Sequence, residues 1–388
     1  MAQSLDDISR QLKKRHRRSA RMKWLSMAAL AAAGAFLVFF LVDMLVKGLP
    51  AFQQAYLHVE VDYSERASEL PLAAVKADVR ELVSRGYLRL IPNRMQKTPD
   101  LLGTQRMEWV LADDAVDQYL KGRKTGLKDK QITVVDRMAE AGNAELRFNT
   151  GFFTNGDSKL PEMAGLASAA IGSVLVLIVT MAFAFPVGVL TAVYLEEFAS
   201  DNRFTRFLEI NINNLAAIPS ILYGLLGLAI FINFFGAPRS SAVAGGLTLG
   251  LMTLPIIIIT SQAALRAVPD SIRQGALAVG ATRWQTVRDH VLPLSMPGML
   301  TGSIIGMAQA LGETAPLIII GMIAYIPDAP TGFTDAATVL PAQIFTWAGM
   351  PESAYVERTA AGILVLLSVL ISLNTLAVFL RKKFEHRW

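Results

Sequence analysis

Six long apolar blocks, separated by polar segments, form the main pattern along this chain of 388 residues. Each block reaches the roughly 18 apolar residues that a helix needs to cross the hydrocarbon core of a membrane. The pattern therefore predicts an all-α polytopic membrane protein with six transmembrane helices. The predicted spans are residues 24–46, 164–193, 215–235, 242–264, 299–324 and 359–380.

Prolines occur inside four of these blocks, at Pro186, Pro219, Pro255 and Pro316. A proline costs about 3 kcal/mol inside a helix in water, but packed membrane helices tolerate it because neighbouring groups satisfy the freed backbone polar groups. Small residues in the same blocks favour close helix packing. They are Gly165, Ala169, Gly172, Gly302 and Gly306.

Basic residues are distributed unevenly between the two sides of the predicted bundle. Lysine and arginine number 18 in the two tails (1–23 and 381–388) and in loops 194–214 and 265–298. The short loops on the other side contain only Arg239 and Arg358. Positive charge marks the cytoplasmic side of inner-membrane proteins, so we expect both termini to be cytoplasmic in the bacterial inner membrane.

The chain is predicted to divide into five parts along its length. The apolar run 24–46 is too long for a cleaved signal peptide, so we expect a retained first helix between the basic tail 1–23 and the next segment. Residues 47–163 contain no spanning run and are predicted to form a small periplasmic α/β or α+β insert. Five further spans then form a helical core over 164–380, followed by the basic tail 381–388.

Inside the insert, the periodicity predicts strands and helices in alternation. We expect a strand at 59–63, helices at 72–84 and 109–120, and further strands within 127–153. The insert carries 17 basic and 17 acidic residues, so it presents no net charge to a charged ligand. A docking or stabilising module is the expected role.

Composition excludes several classes of function. The chain has no cysteine and only four scattered histidines, so no metal site is expected. The glycine-rich lysine motif of a nucleotide-binding loop is missing, and we therefore expect no bound ATP and no enzyme activity in this chain. The net charge of +5 follows from the topology and does not indicate nucleic-acid binding.

The polar segment 266–296 predicts two short amphipathic helices flanking Gly280. Ser271 is expected to cap the first, and Thr282 the second, which should end before Pro293. A short helical pair at a membrane surface suits docking into a groove on a soluble partner. An ordinary surface loop is the other interpretation, and the residues alone leave both open.

The same segment resembles the coupling motif of ABC importer permeases. The positions aligned with the motif are Gln274, Gly275, Ala276, Gly280, Leu292 and Pro293. Gln274, Gly275 and His290 replace the usual Glu, Ala and Ile of the motif, and Trp284 lies in the same loop. The string Gly-Glu-Thr-Ala-Pro-Leu at 312–317 is similar to that of PstA-type permeases of phosphate importers. The stretches 218–224 and 254–258 resemble that family too, and the likeness covers roughly 160–380.

The resemblance implies a set of partners and a mechanism. A PstC-like second permease would pair with this chain, a PstB-like ATPase dimer would dock on its cytoplasmic loops, and a PstS-like periplasmic protein would deliver phosphate. ATP and Mg would be bound by the ATPase, and no cofactor by this chain. Membrane lipid surrounds the bundle, and transport would proceed by alternating access.

Glu313 is the only ionisable residue within predicted spans two to six. A charge at the bilayer centre costs roughly 3 kcal/mol, so such residues usually face a pathway or a partner. We predict that Glu313, with Gln309 and Thr314, lies on the substrate pathway or at the permease–permease interface. A protonated carboxyl bonded to a neighbouring helix is the alternative.

The substrate is a second open question. The PstA-type family often carries arginine where this chain has Ile259 and Gln309. Phosphate is the expected substrate, and sulfate, molybdate or tungstate is the alternative. A membrane sensor that uses 47–163 is a further alternative, although the two short tails leave no room for a cytoplasmic output domain.

The charge asymmetry makes a direct prediction about topology. A reporter that is active only in the cytoplasm, fused at Gly103 within the insert, should be silent because residues 47–163 are expected to be periplasmic. The same reporter fused after residue 388 should be active. A strong signal from the Gly103 fusion would overturn the whole layout.

Overall fold

The computed structural model describes residues 5–323 and 325–384. The ends of the two predicted basic tails, 1–4 and 385–388, and Ala324 at the end of the fifth predicted span lie outside the described residues. The remaining chain forms a helical bundle with a small mixed insert between its first two long helices. The predicted fold class is confirmed.

Within the described part of the chain, five helical segments are long and apolar enough to cross a membrane: 12–52, 167–198, 242–266, 283–312 and 353–379. A sixth crossing depends on a helix pair, Arg203–Ala216 with Ser220–Phe234, that is bent by 106°. The α-helices of this part are α1 (Leu5–Gly48), α8 (Ala167–Val193), α9 (Arg203–Ala216), α10 (Ser220–Gly227), α11 (Ala242–Arg266), α12 (Asp270–Ala278), α13 (Arg283–Thr286), α14 (Leu292–Gly312), α15 (Ala315–Ile319), α16 (Leu340–Ala348) and α17 (Ser353–Phe384).

Two of the predicted spans are not continuous helices in the structure. The predicted span 215–235 is interrupted at Pro219, where α9 ends and α10 begins in a new direction. The predicted span 299–324 is also wrong, because α14 begins at Leu292, ends at Gly312 and is followed by the short α15, which has Pro316 in its first turn. Proline donates no backbone hydrogen bond and restricts the residue before it, so both breaks have a local cause.

The central layer of the bundle consists of α8, α11 and α14, which approach one another at small residues. A Cβ added to Gly302 on α14 would lie 1.9 Å from the hydroxyl oxygen of Thr260 on α11. A Cβ added to Gly172 on α8 would lie 2.0 Å from the carbonyl oxygen of Thr338. The predicted role in close helix packing is confirmed for Gly302, whereas Gly172 lies against the segment before α16.

The insert is an α+β unit built on a three-stranded antiparallel sheet with the order β2-β1-β3. Alternate β1 residues are buried against the insert helices, because successive side chains of a strand point to opposite faces. The elements are β1 (Gln53–Asp62), α2 (Glu65–Glu69), α3 (Arg85–Arg89), α4 (Ile91–Lys97), β2 (Gln105–Leu111), α5 (Asp114–Leu120), α6 (Asp129–Glu140), β3 (Ala144–Phe148) and α7 (Gly151–Thr154).

The structure corrects several predictions inside the insert. No helix forms over 72–84 beyond a short turn at 71–74, and Val83 instead pairs through its backbone with Ala112. The predicted helix 109–120 begins as strand β2 and becomes helical only at Asp114. The predicted strands within 127–153 are helix α6 followed by the single strand β3. The strand at 59–63 is part of the longer β1.

Buried charges join the insert to α17. The Lys121 ammonium lies 2.7 Å from the Asp117 carboxylate and 2.7 Å from the Glu357 carboxylate, and all three side chains are at most 4% exposed. Arg123 approaches the second oxygen of Glu357 at 3.1 Å. Burial raises the pKa of the Asp117 carboxyl above its usual value, and the adjacent Lys121 ammonium offsets only part of this rise.

A second buried contact uses the next residue of α17. Arg358 donates to the Gln54 side chain on β1 and to the carbonyl oxygen of Ala164, both at 2.8 Å. One residue thereby ties α17 to the sheet and to the segment that leads into α8. The insert is therefore fixed to the bundle by hydrogen bonds and ion pairs as well as by its two chain connections.

We expect Glu357→Gln to loosen the insert. Removing one partner of a buried ion pair leaves uncompensated charge and costs about 3 kcal/mol. The measurement is limited proteolysis and thermal unfolding of the full chain, and cleavage within 47–163 should become faster. Lys76→Met is the matched control because it removes an exposed ion pair with Glu60 in the same insert. Equal cleavage rates in wild type and Glu357→Gln would contradict the prediction.

Candidate functional site

The predicted coupling segment forms two helices with a sharp turn between them. Helix α12 ends at Ala278, and Gly280 follows with φ +90, a left-handed conformation that glycine adopts at little cost. Thr282 then caps α13, as predicted, by accepting from the Gln285 backbone, while the Gln285 side chain accepts from the Thr282 N–H at 2.8 Å. The predicted Ser271 cap is wrong, because α12 begins one residue earlier, at Asp270.

The second helix does not end before Pro293, in contrast to the prediction. A wider helical turn over Val287–Val291 joins α13 to α14, and one continuous helical segment runs from 283 to 312. Such π turns accommodate a local disturbance of the helix and are frequent at functional sites. The second half of the coupling segment, from Arg283 onward, is therefore the start of a membrane-spanning helical segment.

Arg273 holds α12 against the end of α8. Its guanidinium lies 2.7 Å from the Glu197 carboxylate and also donates to the carbonyl oxygens of Leu265 and Val268, at 2.9 and 2.7 Å. The hydrogen bonds to Glu197 raise the pKa of Arg273, which stays protonated. The guanidinium thus satisfies backbone carbonyls at the end of α11 while it binds the carboxylate that follows α8.

A second ion pair involves the last residue of α11. Arg266 approaches Glu196 at 2.8 Å, and the two acids belong to the π turn Tyr194–Phe198 at the end of α8. These acids were not predicted as site residues from the sequence. Their signal was an acidic pair directly after an apolar span, facing two arginines seven residues apart in the coupling segment.

Apolar side chains remain exposed on the coupling segment. The exposed fractions are 47% for Leu277, 86% for Val279 and 55% for Trp284, whose ring lies 6.4 Å from that of Phe198. Of the other residues matched to the motif, Gln274, Gly275, Gly280 and Pro293 are exposed, Leu292 is half-buried and Ala276 is buried. Beside them lies an open cavity of about 460 Å³, lined by the Arg266, Arg273, Glu196 and Glu197 side chains. We refer to this whole region, residues 266–293 with 194–198, as the coupling surface.

The Glu313 region lies at the opposite end of α14. Glu313 has an extended backbone (φ −77, ψ 133), ends α14 and is half-buried, whereas it was predicted to lie inside a span. Gln309, one turn earlier, is exposed, as is Ile305 at 55%, and Thr314 is half-buried. One face at this end of α14 is therefore left uncovered by the rest of the described chain.

The two predicted sites are thus connected by a single helix. At 1.5 Å per residue, the 21 residues of α14 span about 30 Å between Leu292 and Gly312. No group of three or more His, Asp or Glu side chains able to hold a metal ion occurs among residues 5–323 and 325–384.

Comparisons with known proteins match both halves of the chain. The family described as "Binding-protein-dependent transport system inner membrane component" matches residues 184–388. The "Domain of unknown function (DUF3333)" matches residues 9–74, which cover α1 and the start of the insert.

Two relatives and one solved structure illustrate the similarity. The probable ABC transporter permease protein YqgI of Bacillus subtilis is 32% identical over 177 residues, which are 46% of this chain and 59% of that protein. The phosphate transport system permease protein PstA 1 of Mycobacterium tuberculosis H37Rv is 32% identical over 224 residues, 57% of this chain and 72% of that protein. An inward-facing MetNI methionine ABC transporter chain is 17% identical, with a TM-score of 0.45, over 57% of this chain and 95% of that chain.

Proposed function

Because this chain belongs to the binding-protein-dependent transport system inner membrane component family, we propose that it is the permease subunit of an ATP-driven importer of inorganic phosphate. The observation that carries the proposal is the coupling surface, where a left-handed Gly280 separates α12 from α13. The relatives named as PstA phosphate permeases support phosphate as the substrate. The chain would supply the path, and a separate ATPase would supply the energy.

The coupling surface would bind a PstB-like ATPase from the cytoplasm. The exposed side chains of Leu277, Val279 and Trp284 offer an apolar patch that a groove on the ATPase could cover. Movement of the ATPase would then reach the membrane by two routes. One route is the continuous segment 283–312, and the other is the Arg273–Glu197 contact, which links α12 to α8.

The open face near Glu313 would be completed by a PstC-like second permease. A carboxyl group that faced lipid here would be costly, so a partner chain or a hydrated path is the favoured neighbour. An ionised Glu313 would repel an anionic substrate. Glu313 would therefore accept a hydrogen bond from a protonated phosphate oxygen, or form an ion pair with an arginine of the second permease.

Positive charge for the substrate would have to come from outside this chain. Ile259 and Gln309 carry no charge in positions where the PstA-type family often has arginine. The second permease would supply the cation, and a PstS-like periplasmic protein would deliver the phosphate. This same feature favours sulfate, molybdate or tungstate as the second candidate substrate.

Uptake measurements separate these substrates. Cells that lack the gene should lose high-affinity uptake of radiolabelled phosphate and regain it when the gene is restored. Unlabelled sulfate, molybdate and tungstate should fail to compete. Normal phosphate uptake without the gene would refute the phosphate assignment, and competition by one of the other anions would identify the alternative.

Gly280→Val should uncouple the permease from its ATPase. A branched residue at φ +90 costs about 1–3 kcal/mol, so the angle between α12 and α13 should change. We expect membrane insertion to persist while co-purification of the ATPase and phosphate-dependent ATP hydrolysis are lost.

Gly236→Val is the matched control for this variant. Gly236 also has a left-handed φ (+72) with no atom near a Cβ position, and it lies in the loop between α10 and α11, outside the coupling surface. The Gly236→Val variant should still co-purify with the ATPase. Normal uptake and normal ATPase co-purification in Gly280→Val would contradict the role of the turn.

Glu313→Gln should preserve side-chain size and assembly but lower the initial rate of phosphate uptake about tenfold or more, equivalent to roughly 1.4 kcal/mol. The reason is that glutamine keeps the hydrogen-bonding capacity but not the charge. Uptake is measured in membranes in which the assembled complex is quantified.

Glu352→Gln is the control, because it removes an exposed carboxyl group near the start of α17. Its uptake should match wild type. If Glu313→Gln also transports at the wild-type rate at equal complex abundance, the carboxylate has only a structural role.

A further inference from the structure

The open cavity of the coupling surface, about 460 Å³ in volume, is lined by equal numbers of acidic and basic side chains. The formal charges of these side chains cancel, so what the cavity can bind depends on which of them already have a partner. The acids are Glu196, Glu197 and Asp270, and the bases are Arg266, Arg273 and Arg283.

All three acids of the cavity are already bound to an arginine of the same cavity. Glu196 lies 2.8 Å from the Arg266 guanidinium. Glu197 and Asp270 lie 2.7 Å and 3.3 Å from the Arg273 guanidinium. An incoming cation would therefore have to displace an existing partner before it could bind a carboxylate here.

Arg283 is the cation of the cavity that has no acidic partner. It is exposed at the first position of α13, and no carboxylate oxygen of the described residues lies within 4 Å of its guanidinium. An arginine offers five N–H donors in a planar fork that matches the two oxygens of a carboxylate. The cavity therefore presents an unused binding group for an acidic side chain.

A second unused donor lies one helical turn further on, at Thr286. Its side chain lines the same cavity, the residue is only 4% exposed, and its hydroxyl has no hydrogen-bond partner among the described residues. Residues three apart lie on the same face of a helix, which places the Thr286 hydroxyl beside Arg283. Buried hydroxyl groups are nearly always hydrogen-bonded, and an incoming acceptor would supply the missing partner.

We propose that the ATPase inserts the carboxylate of an aspartate or glutamate side chain into this cavity, where it binds Arg283 and accepts a hydrogen bond from Thr286. This contact presupposes the proposed function, since it supplies the chemical group by which the ATPase would hold the coupling surface. A lysine or arginine of the ATPase would find the acids of the cavity already paired. A carboxylate complements the one charge that remains.

Apolar side chains around the cavity would keep water away from this ion pair. Leu277 and Val287 line the cavity, and the Trp284 ring, 55% exposed, follows Arg283 directly in the chain. Contacts between the ATPase and these side chains would exclude water, and an ion pair in such surroundings is stronger than one at an open surface. A free anion such as inorganic phosphate would lack these apolar contacts and would also lie beside the acids of the cavity.

The test compares two charge reversals in the full chain, expressed together with the second permease and the ATPase. Arg283→Glu should lower the amount of co-purified ATPase about tenfold or more, because the incoming carboxylate would then meet another carboxylate. Arg203→Glu is the matched control, since Arg203 is also exposed at the first position of a helix, α9, and lies outside the coupling surface. The Arg203→Glu variant should bind the ATPase like wild type. Equal ATPase binding by the two variants would overturn the proposal.

Thr286→Val separates ATPase binding from folding of the chain. Valine keeps the shape of threonine and removes only a hydroxyl that has no partner in the described chain, so membrane insertion and thermal stability should be unchanged. Co-purified ATPase should fall about threefold or more, because one hydrogen bond to the carboxylate is lost. Wild-type ATPase binding by Thr286→Val would contradict the hydrogen bond that the proposal requires.

Charge exchange identifies the carboxylate on the ATPase. Acidic residues of the ATPase are replaced one at a time by arginine, and one of these replacements should restore binding to Arg283→Glu. Inorganic phosphate at millimolar concentration should not release the ATPase from the wild-type chain, compared with chloride at equal ionic strength. Lack of rescue by every replacement would overturn the proposal, and release by phosphate would assign the cavity to a free anion.

The wild-type chain distinguishes failure of this contact from failure of the proposed function. If the wild-type chain co-purifies no ATPase, the proposed function is wrong and the contact falls with it. If the wild-type chain and Arg283→Glu bind the ATPase equally, only the contact at Arg283 is wrong.

Discussion

Backbone hydrogen bonding inside the hydrocarbon is the constraint on which the rest of this structure depends. Water is missing there, so every N–H and C=O group in the spans must be paired within the protein, and continuous helices achieve this. Pro186 and Pro255 stay inside α8 and α11, which pack against each other in the bundle core. Pro219 and Pro316 instead coincide with breaks, and these breaks determine where α10 and α15 begin.

The break after α14 determines the surroundings of Glu313. If the helix had continued through Glu313, that residue would have been one more position on a buried or lipid-facing helix. Because α14 ends at Gly312, Glu313 lies in an extended segment next to an uncovered face. The other end of the same helical segment lies in the coupling surface, so one continuous segment, 283–312, joins that surface to the residue before Glu313.

Buried charges play a comparable role at the junction of insert and bundle. Lys121, Asp117 and Glu357 are nearly inaccessible to solvent, and each is within 2.7 Å of an opposite charge. Such a cluster is tolerated because its charges are paired, and it resists separation because removing one partner leaves another uncompensated. The buried charges therefore tie the insert to the start of α17.

The sequence by itself determined the features that depend on local physics. Block length predicted the long apolar helices, Gly280 predicted the boundary between two short helices, and Thr282 predicted a cap, because each depends on a few adjacent residues. The insert was harder to predict, since its short apolar segments fit the periodicity of a strand as well as that of a helix. Val83 and Trp109 became extended only because distant strands offered hydrogen bonds.

Only the tertiary structure decided which distant polar side chains meet. Arg273 binds Glu197 across 76 residues, and Arg358 binds Gln54 across 304. No local pattern encodes such pairs, because their geometry exists only after the helices have packed. The effect of each proline also depends on the tertiary structure. Every proline can break a helix, and whether it does depends on neighbouring groups that can satisfy the freed carbonyl group.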